Sequence, residues 1–279
     1  MVIRFNAGYL KISFPLLIQR TAVALCLLFL CLSGVCGAAE NNPNLSLSIS
    51  QLELLAEQGE AEAQHYLGFS YFNGKGVKQD YKKAADWYTK AAEQGYVPSQ
   101  NNLGLMYYEG KGVAQDYEKA REWLKQAAEA GTGKAQIVLG RMHLTGEGAL
   151  KNYQEAAKWY KRAADQGEGE AQTTLGLMYI KGQGVPKDYK EGFQYLSRAA
   201  EKGIAIAQYR LGMMYEYGRG VLQDNVSAYV WYSLGAVQGH VTAKERLDIV
   251  AKQMTPAEIK QAQQATRAWL EKTDQQTVF

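Results

Sequence analysis

The chain has 279 residues, 47% of them hydrophobic and 21% charged, with 31 basic against 28 acidic side chains for a formal charge of +3. That composition belongs to a folded chain with a core and excludes a disordered, low-complexity one. The whole positive excess is Arg4, Lys11 and Arg20, and 31 less these three leaves 28 basic against 28 acidic residues. The body of the chain is thus formally neutral, and nucleic acid is not an expected partner.

The first segment differs from the rest. Arg4, Lys11 and Arg20 are its only charges, Ala22 to Leu32 is almost wholly apolar, and Ser33, Gly34, Gly37, Ala38 and Ala39 follow. A basic stretch, a short apolar run and small residues describe a secretory signal peptide over 1–39, cut after Ala38 or Ala39. The run is shorter than the roughly 20 residues that cross a bilayer, so a retained anchor is the weaker reading and no stable span is expected after cleavage. The chain's three cysteines, Cys26, Cys31 and Cys36, all lie here. Lipid attachment at Cys36 is a further alternative, disfavoured because Val35 stands where a small residue is expected. Without this segment no thiol is left for a disulfide, a nucleophile or a zinc site. The expected destination is the periplasm or the exterior.

After a short helix signalled by Leu52, Leu55, Ala56 and Gly59, an internal repeat begins. Leu-Gly recurs at Leu67-Gly68, Leu103-Gly104, Leu139-Gly140, Leu175-Gly176 and Leu211-Gly212, always 36 residues apart. Other columns keep the register: Tyr71, Tyr107, Tyr179 and Tyr215, with His143 in the third unit; paired glycines such as Gly74/Gly76; Asp80, Asp116, Asn152, Asp188 and Asp224; and Trp87, Trp123, Trp159, Tyr195 and Trp231. Within a unit, Ala63, Leu67, Gly68 and Tyr71 follow the spacing of one helical face and predict helix A from about Ala61 to Phe72. The Gly-x-Gly turn ends it. Asp80 is placed to cap helix B, which runs from about Tyr81 to Glu93 with Ala84, Trp87, Tyr88 and Ala91 inward, and Gly95 stops it. Small Gly68 and Ala84 let the pair approach closely, while Trp87 fills space against the neighbouring unit. One hairpin cannot bury its apolar face alone, so the units must stack. The reading is a capping helix in 40–59, five repeats over 60–239 and capping helices over 240–279. In the last part Val241 to Val250 resembles a divergent helix A. Thr255-Pro256 opens a final helix with Ile259, Ala262, Trp269 and Leu270 on one side and Lys260, Gln263, Gln264 and Glu271 on the other. A polar outer face on the last element predicts a monomer.

The pattern Ala-x-Ala-Gln-x-x-Leu-Gly-x-x-Tyr-x-x-Gly-x-Gly-Val-x-x-Asp-Tyr-x-x-Ala-x-x-Trp-Tyr-x-x-Ala-Ala-x-x-Gly resembles the Sel-one-like repeat (SLR), a relative of the tetratricopeptide repeat. The likeness covers about Ser50 to Gly239, and the second unit departs at its start with Pro98-Ser99-Gln100. It implies an all-α, right-handed superhelical solenoid of stacked antiparallel helix hairpins, and an adaptor that binds a protein or peptide. A secreted, cysteine-rich branch of the family is linked to penicillin-like compounds, so a binder or hydrolase of cell-wall or β-lactam compounds is the alternative. The paired cysteines that mark that branch are missing here.

Chemistry has little to stand on. The paired glycines lie between two helices with no preceding strand and no GKS or GKT sequence, which makes them turns and not phosphate loops. His65, His143 and His240 fall in different parts of the array, so no metal site is expected. His143 reads as a packed substitute for Tyr, or as a pH-sensitive break in the core. With no Gly-x-Ser-x-Gly elbow, neither an enzyme nor a cofactor is expected. The residues of helix A opposite helix B, at 62, 65, 69, 72 and 73 and their equivalents, should instead form a concave partner-binding face. They comprise Phe69, Phe72 and Asn73; Leu105, Tyr108 and Glu109; Arg141, Leu144 and Thr145; Leu177, Ile180 and Lys181; and Met213, Glu216 and Tyr217. Aromatic, Met and Arg side chains suit an interface. Packing of the apolar members between successive A helices is an equal reading, and the two can hold for different residues.

Overall fold

A computed structural model describes residues 47–148 and 150–277, with side chains to 273. The expected signal segment and its three cysteines lie outside the described residues. Within these there are thirteen α-helices and no strand. They are α1 (Ile49–Glu57), α2 (Ala61–Asn73), α3 (Tyr81–Glu93), α4 (Val97–Glu109), α5 (Tyr117–Glu129), α6 (Gly133–Thr145) and α7 (Tyr153–Asp165). Then come α8 (Gly169–Lys181), α9 (Tyr189–Glu201), α10 (Ala205–Tyr217), α11 (Asn225–Val237), α12 (Val241–Ala251) and α13 (Pro256–Thr277). Units 1 to 5 are the hairpins α2–α3, α4–α5, α6–α7, α8–α9 and α10–α11. Each helix packs chiefly on its sequence neighbours, which makes the chain an all-α solenoid.

The helix boundaries follow from the caps. The backbone at Gly74 is left-handed, with φ of 70°, and its N–H reaches back to the Ser70 carbonyl to close α2. Helix B begins where Asp80 accepts a hydrogen bond from the Lys83 N–H at 3.0 Å. Asn152 does the same for Glu155 at 3.0 Å, so the amide keeps the role of the carboxylate. The Asp80 N–H in turn donates to the Tyr71 carbonyl at 2.9 Å, and the equivalent bond recurs in every unit up to Asp224 and Tyr215. This clasp sets the width of the hairpin.

Inside each hairpin the Leu-Gly glycine faces one large side chain. A Cβ on Gly68 would lie 2.9 Å from the Tyr88 ring and 3.3 Å from the Ala84 carbonyl. The column at Tyr88 runs Tyr88, Leu124, Tyr160, Leu196 and Tyr232, and every member is buried. The adjacent Trp column joins the core of the preceding unit: Trp123 packs against the cluster that holds Ala84, Ala85 and Tyr88, and Trp159 belongs to the cluster that holds Ala120 and Leu124.

Two devices join one unit to the next. The first is a buried glutamine. Gln64, Gln100, Gln136, Gln172 and Gln208 each donate a side-chain N–H to the last-turn carbonyl of the preceding helix, at Ala56, Ala92, Ala128, Ala164 and Ala200. Gln94, Gln166 and Gln238 then donate to the side-chain oxygens of Gln64, Gln136 and Gln208 at 2.7–2.9 Å. In unit 4 that outer position is Lys202, whose ammonium turns to the Gly167 carbonyl, and Gln172 Oε1 is left buried without a partner. The second device is steric. The second glycine of the turn lies directly on the start of the preceding helix B, so that a Cβ on Gly184 would fall 2.0 Å from the Tyr153 carbonyl.

Both ends are closed. At the start, α1 lays Leu52 and Ala56 on Ala63 and Leu67. At the other end, α12 takes the place of a sixth helix A, and α13 folds back on α11, burying Val250, Met254 and Ala262 with Tyr232. Thr255 and Glu258 form a reciprocal cap at the start of α13. Its Lys260, Gln263, Gln264 and Glu271 face outward and Ala262 inward. No helix among the described residues is long and apolar enough to cross a membrane.

The two kinds of glycine separate in an equilibrium unfolding experiment. Gly203 also has positive φ, at 81°, yet a Cβ there meets nothing within 4 Å. Gly203→Ala should cost about 1–2 kcal/mol, the left-handed strain alone. Gly184→Ala must also displace backbone and should cost at least about 2 kcal/mol more, within the range of severe core disruptions. Equal shifts in the denaturation midpoint would mean that the turn does not carry the seam.

Candidate functional site

The helix-A face is assembled from side chains that the next unit half covers. Phe69 and Phe72 pack against the core made by Ala84, Tyr88, Leu103 and Met106, while Leu105 and Tyr108 do so one unit later, and Leu144 and Ile180 after that. None of these six is fully buried, so each keeps one side open. Asn73, Glu109, Arg141, Thr145, Lys181 and Tyr217 are exposed on the same face. Packing and display therefore belong to the same residues, the apolar ones filling the seam with their stems and the polar ones standing at its rim.

Between units 1 and 2 the face opens into a cleft of about 260 Å³. It is lined by Phe69, Phe72, Asn73, Leu105 and Glu109, all expected on this face, and also by Tyr88, Asn102, Met106 and Lys111. The sequence pattern gave no reason to include the last four. Tyr88 and Met106 read there as core. Asn102 and Lys111 show only once two units are stacked. Lys111 pairs with Glu109 at 3.0 Å, and the Tyr108 hydroxyl donates to the Glu147 carboxylate at 2.6 Å. Burial, first, and then that carboxylate push the Tyr108 phenol up to about 12. It stays a donor at any ordinary pH.

The structure corrects two parts of the expected face. Position 65 does not belong to it. His65, Asn101, Ile137 and Thr173 are buried, because this column faces the following helix A; His65 Nδ1 lies 2.8 Å from the Ser99 hydroxyl of unit 2. At the far end, Glu216 is only 5% exposed. Arg246 of α12 reaches back to it, with Nε at 3.2 Å, and the Tyr232 hydroxyl donates to it at 2.6 Å. Arg246 also bonds the Tyr217 hydroxyl, and Met213 packs into the core under α12. Helix α12 thus takes up Glu216 and Met213 of the fifth unit's share of the face, while Tyr217 stays exposed at its rim. A partner for Glu216 that stands 30 residues on is not legible from the repeat alone.

His143 marks a second irregularity, away from the face. In unit 4 the column residue Tyr179 stacks on Tyr195 at 5.7 Å. In unit 3 the smaller imidazole leaves a recess of about 480 Å³ beside Trp159, bordered also by Arg121, Glu122, Lys125, Leu139 and Glu155. The His143 Nδ1 atom is buried without a partner. Burial lowers its pKa, with Arg121 acting in the same sense and Glu155 against it. No three His, Cys, Asp or Glu side chains among the described residues converge as a metal set would.

Comparison with known proteins adds the following. A family model described as Sel1 repeat matches five consecutive stretches, 61–96, 97–132, 133–168, 169–204 and 205–240. The crystal structure of c5321, a protective antigen of uropathogenic Escherichia coli strains displaying an SLR fold, is 35% identical with a TM-score of 0.72. The match covers 79% of this chain and 48% of that one, so this chain spans about half the length of c5321. A Sel1 repeat protein from Oxalobacter formigenes is 36% identical, with a TM-score of 0.69 over 82% of this chain and 93% of that one. No curated protein sequence matches the chain.

The seam histidine makes stability depend on pH. Burial depresses the His65 pKa from 6.5 to about 4, against a smaller opposing pull from Glu62. The folded chain therefore keeps His65 neutral where the unfolded chain takes up a proton. Its contribution is whole above pH 6.5 and is lost as pH falls toward 4. Between pH 7.5 and 4.5 the protein should lose roughly 2–3 kcal/mol more than His65→Gln, at about 1.4 kcal/mol per unit. Parallel pH profiles of the two unfolding midpoints would refute the assignment.

Proposed function

The chain belongs to the Sel1 repeat family, whose members generally serve as protein-interaction scaffolds, and from that premise we propose that it is an exported scaffold holding a protein or peptide on its helix-A face. The observation that carries this reading is the cleft between units 1 and 2. There two aromatic rings and a leucine, Phe69, Phe72 and Leu105, stay half open beside polar Asn73, Asn102 and Glu109. An apolar floor with a polar rim is the anatomy of an interface, where a few buried anchors supply most of the affinity. A scaffold face needs only solvent for its other half when unoccupied, and these side chains are held in place by the core on their inner half. Such pre-organisation lowers the ordering cost of binding.

The face also varies from unit to unit, unlike the columns that build the fold. Position 69 carries Phe, Leu, Arg, Leu and Met through the five units, whereas the Leu-Gly, glutamine and capping columns barely change. Specific binding to one extended partner asks for that distribution.

Export rests on the sequence of 1–39. Expressed with a C-terminal tag, the protein should be recovered from the periplasm or medium with a new N-terminus at Ala39 or Glu40. Recovery from the cytoplasm with the N-terminal segment intact would remove the exported part of the reading.

Binding is tested by affinity capture from a native envelope extract. The double variant Phe69→Ser/Leu105→Ser should retain at least tenfold less partner than the parent. The control Lys82→Ser/Glu118→Ser, on exposed helix-B positions, should retain as much. Unchanged capture by the first variant, with its helical circular dichroism intact, would place the site elsewhere.

A further inference from the structure

The helix-A face carries one cation per unit, although no single column supplies it. In units 1, 2 and 5 the cation is the residue between the paired glycines: Lys75, Lys111 and Arg219. In unit 3 that position is Glu147 and in unit 4 it is Gln183. There the cation comes from the face itself, as Arg141 and Lys181. Four of the five lie over aromatic rings of the same face. Lys75 is 5.2 Å from the Phe69 centroid, Lys111 5.6 Å from Phe72, Arg141 5.7 Å from Tyr108 and Arg219 5.3 Å from Tyr217. Stacking on a ring holds the cation over the open side of the anchor.

The charges do not cancel. Glu109, Glu147 and Glu216 are the three carboxylates in the columns of 69, 72, 73 and 75, and each is engaged, with Lys111, with the Tyr108 hydroxyl and with Arg246. Lys75, Arg141, Lys181 and Arg219 make no ion pair among the described residues. Five cations against three carboxylates give these four columns a net +2 in a chain whose body is formally neutral, and four of the cations are left unpaired. The fold itself shows how this surface takes a carboxylate. At the closed end Glu216 is gripped by Arg246 and the Tyr232 hydroxyl.

We propose that the occupant of the helix-A face is an acidic peptide segment, which lays apolar side chains into the Phe69–Phe72–Leu105 cleft and carboxylates on the cation of each unit. This rests on the reading of the face as the binding site. Successive A helices stand about 10 Å apart, and an extended strand advances about 3.3 Å per residue. A carboxylate at about every third position then meets each unit in turn. Charge complementarity of this kind sets partner choice and association rate more than raw affinity, and it weakens with salt.

The test selects random displayed peptides of about 15 residues, enough at about 3.3 Å each to span five units, on the purified protein. The same selection is run on Arg141→Glu/Lys181→Glu and on Phe69→Ser/Leu105→Ser. The parent should yield an acidic pool with Asp or Glu at about every third position. Its best peptides should lose at least tenfold in affinity for the charge-reversed variant and severalfold for Arg141→Gln/Lys181→Gln, with thermal midpoints confirming folded proteins. A neutral or basic pool that still depends on Phe69 and Leu105 overturns the acidic assignment and leaves the face standing. Peptides indifferent to both sets of substitutions, or no enrichment at all, overturn both.

Discussion

The structure depends on a buried amide at each step of the array. The carbonyls of Ala56, Ala92, Ala128, Ala164 and Ala200 already accept the N–H of the glycine that closes each helix B or, at the start, α1. The glutamines at 64, 100, 136, 172 and 208 use the remaining lone pair of these same oxygens, donating across the seam from the next helix. A hydrogen bond between dry partners fixes position as well as contributing energy, since a unit that slid or rotated would strand the buried amide. Each hairpin is therefore placed on its predecessor in one orientation. Residues that share a column come to lie in a row.

The glycine at the turn acts on the same joint from the opposite side. With only about 2 Å between a hypothetical Gly184 Cβ and the Tyr153 carbonyl, any larger residue would wedge the units apart. The glutamine draws them together and the glycine permits the approach. Neither makes sense within one hairpin, which explains why a repeat of this kind is specified by its neighbour and gains stability from stacking.

That dependence also decides how much could be read beforehand. The register, the ends of helices A and B, the capping by Asp80 and Asn152 and the inward residues of the last helix are local properties of 36-residue periodicity, cap chemistry and helical spacing, and they were legible. Positions 69, 72 and 73 read in the sequence as the side of helix A turned from helix B, whereas the Phe72 ring meets Tyr81 of helix B at 5.1 Å and Phe69 packs on the core of Ala84 and Tyr88. His65 was not legible. A helical wheel drawn for a single hairpin counts it as outward, and only the following unit, with Ser99 at 2.8 Å, buries it. Glu216 is hidden by the same logic carried one element further, through Arg246 on a helix whose sequence has left the repeat pattern. Tyr88 and Met106 read correctly as core, yet also form the floor of the cleft. Sequence periodicity tells which side chains leave the solvent, and stacking decides which of them keep an edge in it.

The closed end gives the array a direction. A solenoid of identical units would offer a partner five equivalent rows and no preferred start. Here α12 takes up part of the last row by seating Arg246 on Glu216 and packing on Met213. Unit 5 keeps only its rim at Tyr217 and Arg219 open, whereas at the opposite end units 1 and 2 form a cleft lined by Phe69, Phe72 and Leu105. The helix that begins to shield the last core from water thus also distinguishes the two ends of the face. Closing the hydrophobic core and giving the face two unlike ends are one packing problem, solved by the helices that follow the repeat.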